Sequence, residues 1–179
     1  MKLPVRVRIK LLTDEGSFEE LPAPESCVCI TGSARVNGRR ILVYALEHEP
    51  GPAVDMFGSL QQANRIAERA LAERTPLAML LDAPGRGHST VGKTPLPPDS
   101  SRLLADPNGA GRLYTDLARL SGEVPRVAAL FGQTGAALVF PNALCDALVM
   151  LEDAGVCIGR PDAVRHMVGE NVDYATLGG

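Results

Sequence analysis

The chain has 179 residues, 45% of them hydrophobic, which suits one well-buried domain and leaves little for a second. Its formal net charge is -3 and its isoelectric point about 5.6, with basic residues dispersed, which excludes a broad electrostatic hold on nucleic acid or an anionic membrane. No apolar run reaches the length of a membrane span.

The N-terminal MKLPVRVRIKLL carries positive charge without the long apolar core or cleavage pattern of a targeting segment, and the chain reads as cytoplasmic. Residues 5–13 fit a short helix or an extended arm. Asp14-Glu15-Gly16-Ser17 is a turn, from which Phe18 and Leu21 pack back before Pro22 and Pro24 keep the chain extended or turning. Residues 27–36 alternate as a strand, Asn37-Gly38 supplies a tight hairpin turn, and residues 40–46 return. One hairpin is unstable alone, so Val28, Ile30, Ile41 and Val43 are expected to cover a larger body. Cys27 and Cys29 point the same way in that strand. With Cys145 and Cys157 they show no metal-ligand spacing and read as buried or half-buried thiols of a reducing compartment.

After a loop over 47–53, Ser59 is expected to cap a helix over LQQANRIAERALAER, with Leu60, Ala63, Ile66, Ala67, Ala70 and Leu71 on one face. Pro76 ends it, and residues 77–81 make a short apolar strand, so the order of elements predicts an α/β arrangement with parallel pairing. DAPGRGHSTVGKTPLPPDSS is a loop rich in Gly, Pro and Ser, and 103–110 adds irregular chain. Residues 112–120 read as a helix with Leu113, Leu117 and Leu120 inward. VAALFG, 127–132, lacks alternation and reads as a fully buried strand. It breaks into Gly132-Gln133-Thr134-Gly135, then into small apolar residues that suit a helix start. A helix near 141–146, strands at 148–151 and 156–158, and a helix from Pro161 follow, and Gly178-Gly179 end the chain without a closing element.

Residues 87–94, GHSTVGKT, satisfy the phosphate-loop pattern and follow an apolar strand. That loop needs its Lys and Thr to open a helix facing the phosphates, and Pro95, Pro97 and Pro98 forbid a regular helix in this register. Nucleotide hydrolysis is therefore set aside, although Arg39, Arg40 and Lys93 remain candidates for a local phosphate contact. His48, His88 and His166 form no sequence-evident triad or metal set, so no metal is expected. LLDAPGRG and LFGQTGAAL each place a glycine corner after an apolar strand, with the helix at 112–120 between them. In one parallel sheet the two corners converge, and their N–H groups can cradle an oxyanion, a carboxylate or a phosphate. A thioester enolate fits, because its charge grows on oxygen and the cradle needs no side-chain nucleophile. The residues alone equally fit tight turns with nothing bound.

In order and spacing, LLTDEGSFEEL, GSARVNGRRILVYALE, the helix at 60–74, PLAMLLDAPGRG, LSGEVPRVAALFGQTGAALVFPNALCDALVM and IGRPDAVRHMVGENVDYATLGG cover nearly the whole chain. Together they resemble the N-terminal domain of the beta-type carboxyltransferase component of biotin-dependent acyl-CoA carboxylases, in the crotonase-like superfamily. The resemblance implies one crotonase-like domain, a ββα superhelix, over residues 1–179. It sets the family's Ser-Gly-Gly-Ala-Arg turn on Ala83, Pro84, Gly85, Arg86 and Gly87, and its glycine-rich turn on Gly132, Gln133, Thr134, Gly135, Ala136 and Ala137. Pro84 has no N–H, so one potential donor is absent. Ala136 and Ala137 replace Gly-Gly, keeping the amides while adding methyl groups. Asp146 and Gly159 also match family positions, as architectural residues.

The function so implied is an acyl-CoA carboxyltransferase-like subunit that stabilises a thioester enolate while carboxylate moves to or from carboxybiotin on a partner carrier protein. Gly85, Arg86, Gly135 and Ala136 would supply the donors, and Arg86, Gly87, His88, Lys93 and Thr134 would meet coenzyme A. Family members carry two such domains, and the chain stops where the first stops, so a homo-oligomer or a second crotonase-like subunit is the expected partner. A biotin-independent decarboxylase of malonyl or methylmalonyl thioesters needs the same hole. A non-catalytic scaffold or regulatory homologue is the remaining alternative, supported by Pro84 and the Ala136-Ala137 pair.

Overall fold

The Asn37-Gly38 dipeptide makes its turn with φ of 51° and 76°, the left-handed values that a two-residue hairpin loop demands. It joins β2 (Cys29–Val36) to β3 (Arg39–Glu47), paired antiparallel from Val36↔Arg39 to Cys29↔Leu46. The Asp14 carboxylate accepts from the N–H groups of Asn37 and Gly38, 2.8 Å each, so the expected turn at 14–17 clasps the hairpin tip. These elements belong to a computed structural model that describes residues 3–23, 27, 29–47, 56–82, 105–134, 141–158 and 161–179, without the side chains of residues 47, 56–58 and 133.

Upstream, α1 (Val5–Leu12) settles the choice between helix and arm, and β1 (Glu19–Glu20) adds a short strand beside β2. At Gly32 the chain leaves no room: an added Cβ would stand 2.5 Å from the main-chain oxygen of Glu19 and 2.5 Å from Cε2 of Phe18. Gly32→Ala is therefore expected to lower stability by about 1–3 kcal/mol, the usual penalty of overpacking. Urea unfolding measures it, and an unchanged midpoint would show that β1 moves aside freely.

The parallel part of the sheet is built by helical crossovers. α2 (Met56–Glu73) leads to β4 (Leu77–Asp82), and α3 (Ala110–Leu120) leads to β5 (Arg126–Leu130). β6 (Gln133–Thr134) then leaves the sheet, β7 (Ala147–Met150) returns to it, and β8 (Gly155–Val156) pairs with β6 in a small second sheet. The main sheet has the order β1-β2-β3-β4-β5-β7, with parallel pairing from β3 to β7. On one face α2 buries Ala63, Ile66, Ala67 and Ala70 together with Leu113, Leu117 and Leu120 of α3, against Leu42, Leu77, Met79 and Leu81. Alanines at these positions let the helix lie close to the strands. On the other face Val5 and Ile9 of α1 pack on Ala34, Val43, Ala45 and Leu80.

Four expectations need correction. Ser59 is no cap: α2 already begins at Met56, and Ser59 lies buried within it, its hydroxyl 3.6 Å from the Cys27 thiol. Met56, Phe57 and Gly58 extend the helix upstream of Ser59. β5 is not buried on both faces; Arg126, Ala128 and Leu130 are buried while Val127 is 44% exposed. The eight-residue α1 covers only the end of that face where Ala129 and Phe131 lie. β4 runs one residue further than expected, to Asp82. Finally, after α4 (Pro161–Val168) the chain closes with α5 (Tyr174–Gly178), capped by Asp173, whose carboxylate accepts from the Thr176 N–H at 2.7 Å. Five residues are too few for periodicity to reveal a helix. No helix among the described residues is long and apolar enough to cross a membrane.

Candidate active site at two strand ends

β4 and β5 are neighbours, parallel and level. Their pairing runs from Leu77↔Arg126 to Leu81↔Leu130, and the Phe131 N–H extends it by donating to the Leu81 oxygen at 2.9 Å. Parallel neighbours end on the same side of the sheet, about 4.8 Å apart. The two glycine corners therefore start side by side. Of the residues expected there, Gly85, Arg86, Gly87, His88 and Lys93 of the first corner lie outside the described residues, as do Gly135, Ala136 and Ala137 of the second. Thr134 is described and is 1% exposed. Its hydroxyl donates to the Gly155 oxygen at 3.3 Å, and its own carbonyl accepts from the Cys157 N–H at 3.1 Å. Thr134 thus anchors the second corner to β8 as the chain peels away from the main sheet.

A group that the sequence did not announce sits against both strand ends. Arg8, projecting from α1, is 6% exposed, and its Nη2 donates to Oδ2 of Asp82 at 2.6 Å. Its guanidinium carbon lies 4.2 Å from the centre of the Phe131 ring, a cation–π contact. The other terminal nitrogen, Nη1, is buried without an acceptor among the described residues. A buried unsatisfied donor costs about 1–3 kcal/mol, so something other than simple packing keeps it there. Asp82 was hidden by ending the strand at Leu81, and Arg8 by leaving 5–13 undecided. The available signal was spacing: Val5, Arg8 and Ile9 share one helical face, and a cation on an apolar face requires a buried partner.

Between the sheet and its helices, beneath Leu81, lies a cavity of about 20 Å³ lined by Tyr44, Met79 and Pro141 among others. It has room for about one water molecule and none for an acyl chain. Burial there pushes the Tyr44 hydroxyl well above its ordinary pKa. A more open cleft of about 420 Å³ is bounded by Arg6, Glu20, Pro22 and Cys27. It opens at the same end of the sheet as the corners, because Cys29 pairs with Leu46 and Leu46 with Leu81. At its rim a hydrogen bond from Arg6, 2.6 Å, holds the Glu20 carboxyl below its usual pKa.

The buried Cys29 thiol beside the cleft is held in its protonated form. Cys27 and Cys29 sulfurs lie 3.0 Å apart, and burial, then the Cys27 contact, push the Cys29 thiol up. Burial likewise raises Cys145 to about 11. Only about a thousandth of Cys145 is then thiolate at pH 8, and the thiolate is the nucleophile. Iodoacetamide labelling of Cys145, followed by peptide mapping, is expected to be slow at pH 8 and to climb steadily toward pH 11. Labelling at pH 8 as fast as free cysteine would contradict the burial. Among the described residues no three His, Cys, Asp or Glu side chains gather as a metal set. His166 lies exposed on α4 with Nδ1 2.6 Å from the Asp162 oxygen, and Arg40 is engaged by Glu73 at 3.0 Å.

A family model described as the carboxyl transferase domain matches residues 4–91 and 101–179. The chain is 26% identical over 187 residues to the uncharacterized carboxylase YngE of Bacillus subtilis, covering 99% of this chain and 35% of that protein. It is 27% identical over 174 residues to the biotin-dependent acetyl-/propionyl-coenzyme A carboxylase beta6 subunit of Mycobacterium tuberculosis, covering 97% of this chain and 34% of that one. The transcarboxylase 12S structure with hydrolyzed methylmalonyl-coenzyme A bound superposes with a TM-score of 0.77 at 23% identity, over 99% of this chain and 35% of that one. The geranyl-CoA carboxylase beta subunit of P. aeruginosa gives a TM-score of 0.75 at 22% identity, over 99% and 33% of the two chains. At such identities the structural likeness speaks for the fold, which is the crotonase-like carboxyltransferase fold expected from the sequence. The chain spans about a third of the length of the curated relatives it matches.

Proposed function

We propose that this chain, which belongs to the carboxyl transferase domain family, is an acyl-CoA-binding subunit that stabilises a thioester enolate during carboxyl transfer. The observation that supports this most is the level, parallel ending of β4 and β5, from which both glycine corners depart together. In this reading the main-chain amides of Gly85, Arg86, Gly135 and Ala136 are the donors to the thioester oxygen, and Thr134 holds the start of the second corner on β8. Arg86, Gly87, His88 and Lys93 meet coenzyme A. As carbon dioxide or a proton leaves the α-carbon, the bonding electron pair stays behind and charge collects on that oxygen, where donors already in place stabilise it without reorganising. Carboxybiotin on a carrier protein supplies the carboxyl group. The acyl group lies outside the core, since the cavity beneath the strand ends is too small for it. A second copy or a second crotonase-like subunit completes the site.

The direct test is exchange of the α-protons of acetyl-CoA or propionyl-CoA with deuterated solvent, read by mass spectrometry. It reports enolate formation and needs no biotin carrier. Protein-dependent exchange is expected. Absence of both exchange and acyl-CoA binding, with and without a candidate second subunit, would overturn the reading. Acetyl-CoA released from malonyl-CoA without biotin would identify a decarboxylase instead. A scaffold role is favoured by the missing N–H of Pro84 and by the Ala136-Ala137 pair, and predicts no acyl-CoA binding, alone or with a candidate second subunit.

A further inference from the structure

We infer that Arg8 is a positioning residue that sets the two strand ends relative to one another, so that the corners leaving them converge. Its purpose rests on the proposed enolate site, but the device itself rests on geometry. Asp82 is the last residue of β4, and Phe131 is the first after β5. One guanidinium touches both: Nη2 donates to the Asp82 carboxylate at 2.6 Å, and Cζ lies 4.2 Å from the centre of the Phe131 ring. A guanidinium is planar and rigid, so a group bonded to Asp82 at one nitrogen and seated over the Phe131 ring ties the position of each partner to the other. The two contacts therefore index the exit of β4 to the exit of β5 through a single group carried by α1.

A contact kept only for stability would not take this form. Well-packed apolar side chains commonly replace a buried ion pair without loss. Here a charged pair is retained, and Nη1 of the guanidinium is buried without an acceptor among the described residues. The arrangement keeps direction at the expense of complete hydrogen bonding, and it does so at the two residues from which the corners depart.

Hydrogen–deuterium exchange of the whole chain, resolved by peptide, tests the inference. In Arg8→Met, amides following Asp82 and those at 132–134 are expected to exchange at least tenfold faster, with the hairpin and α3 unchanged. Arg8→Lys keeps a charge for Asp82 but loses the flat face, so it should restore protection after Asp82 and leave 132–134 exposed. Asp82→Asn and Phe131→Leu should each loosen their own side tenfold and the other less than twofold. These two variants serve also if Arg8→Met fails to fold. Unchanged exchange on both sides, or equal loosening of both by either single-side variant, would overturn the inference. This pattern in the variants, together with a wild-type chain that neither binds an acyl-CoA nor exchanges its α-protons with or without a candidate second subunit, would sink the enolate reading and leave the positioning role standing.

Discussion

Replacing Asp82 by alanine is expected to lower the free energy of unfolding by about 3–5 kcal/mol, the loss typical when one partner of a buried ion pair is removed. Arginine side chains carry their charge at every accessible pH. With its side chain 6% exposed, Arg8 would carry an uncompensated charge against the Phe131 ring and α1. Replacing both partners, Arg8→Met with Asp82→Leu, should recover most of that loss, since apolar pairs of similar volume serve packing well. The double variant is expected to be stable yet to exchange rapidly at both strand ends, which separates stability from positioning. Guanidinium chloride unfolding of the four proteins closes the cycle. A loss below about 1 kcal/mol for Asp82→Ala would show an Arg8 that reaches water, as an exposed pair would.

Pro84→Gly should speed α-proton exchange of a bound acyl-CoA by about 100-fold, because removal of a single oxyanion donor from such a site costs 10²–10³ in rate. Proline has no N–H to give, and the family turn has glycine at the matching position. Pro84→Ala separates two causes. It returns the N–H without glycine's backbone freedom, so a gain shared by both variants assigns the effect to the donor. A gain confined to glycine assigns it to backbone conformation. No gain from either would remove residue 84 from the oxyanion site.

Local chemistry was the legible part of this fold. Asn37-Gly38 has few conformations that suit a strand pair, and it turned where it had to. The faces of α2 and α3 followed from spacing, and a helix between two apolar strands led directly to the parallel pairing of β4 and β5. That pairing made the convergence of the corners a sequence-level inference, although the corner residues themselves lie largely outside the described set. What stayed hidden depended on partners far along the chain. Arg8 and Asp82 stand 74 positions apart and are made meaningful only by α1 crossing the sheet. Val127 looked interior because VAALFG has no polar residue to mark its open side, and the reach of α1 sets where cover ends. The capping interaction of Asp173 with Thr176 was readable in principle, but the helix it starts is too short to draw notice.

Of all strand pairs in the main sheet, β4 with β5 joins the residues most distant along the chain. Loop closure grows only logarithmically in difficulty, about 0.6 kcal/mol for each doubling of length, so lengthening the span between these strands ahead of α3 adds little to the penalty of closing it. Its kinetics are another matter. In refolding, the hairpin across Asn37-Gly38 zips early, whereas this seam waits for α3 to swing across, and distant pairings are the slow ones. The region best placed to acquire new chemistry by changing length is therefore also the one whose lengthening slows the arrival of the native state.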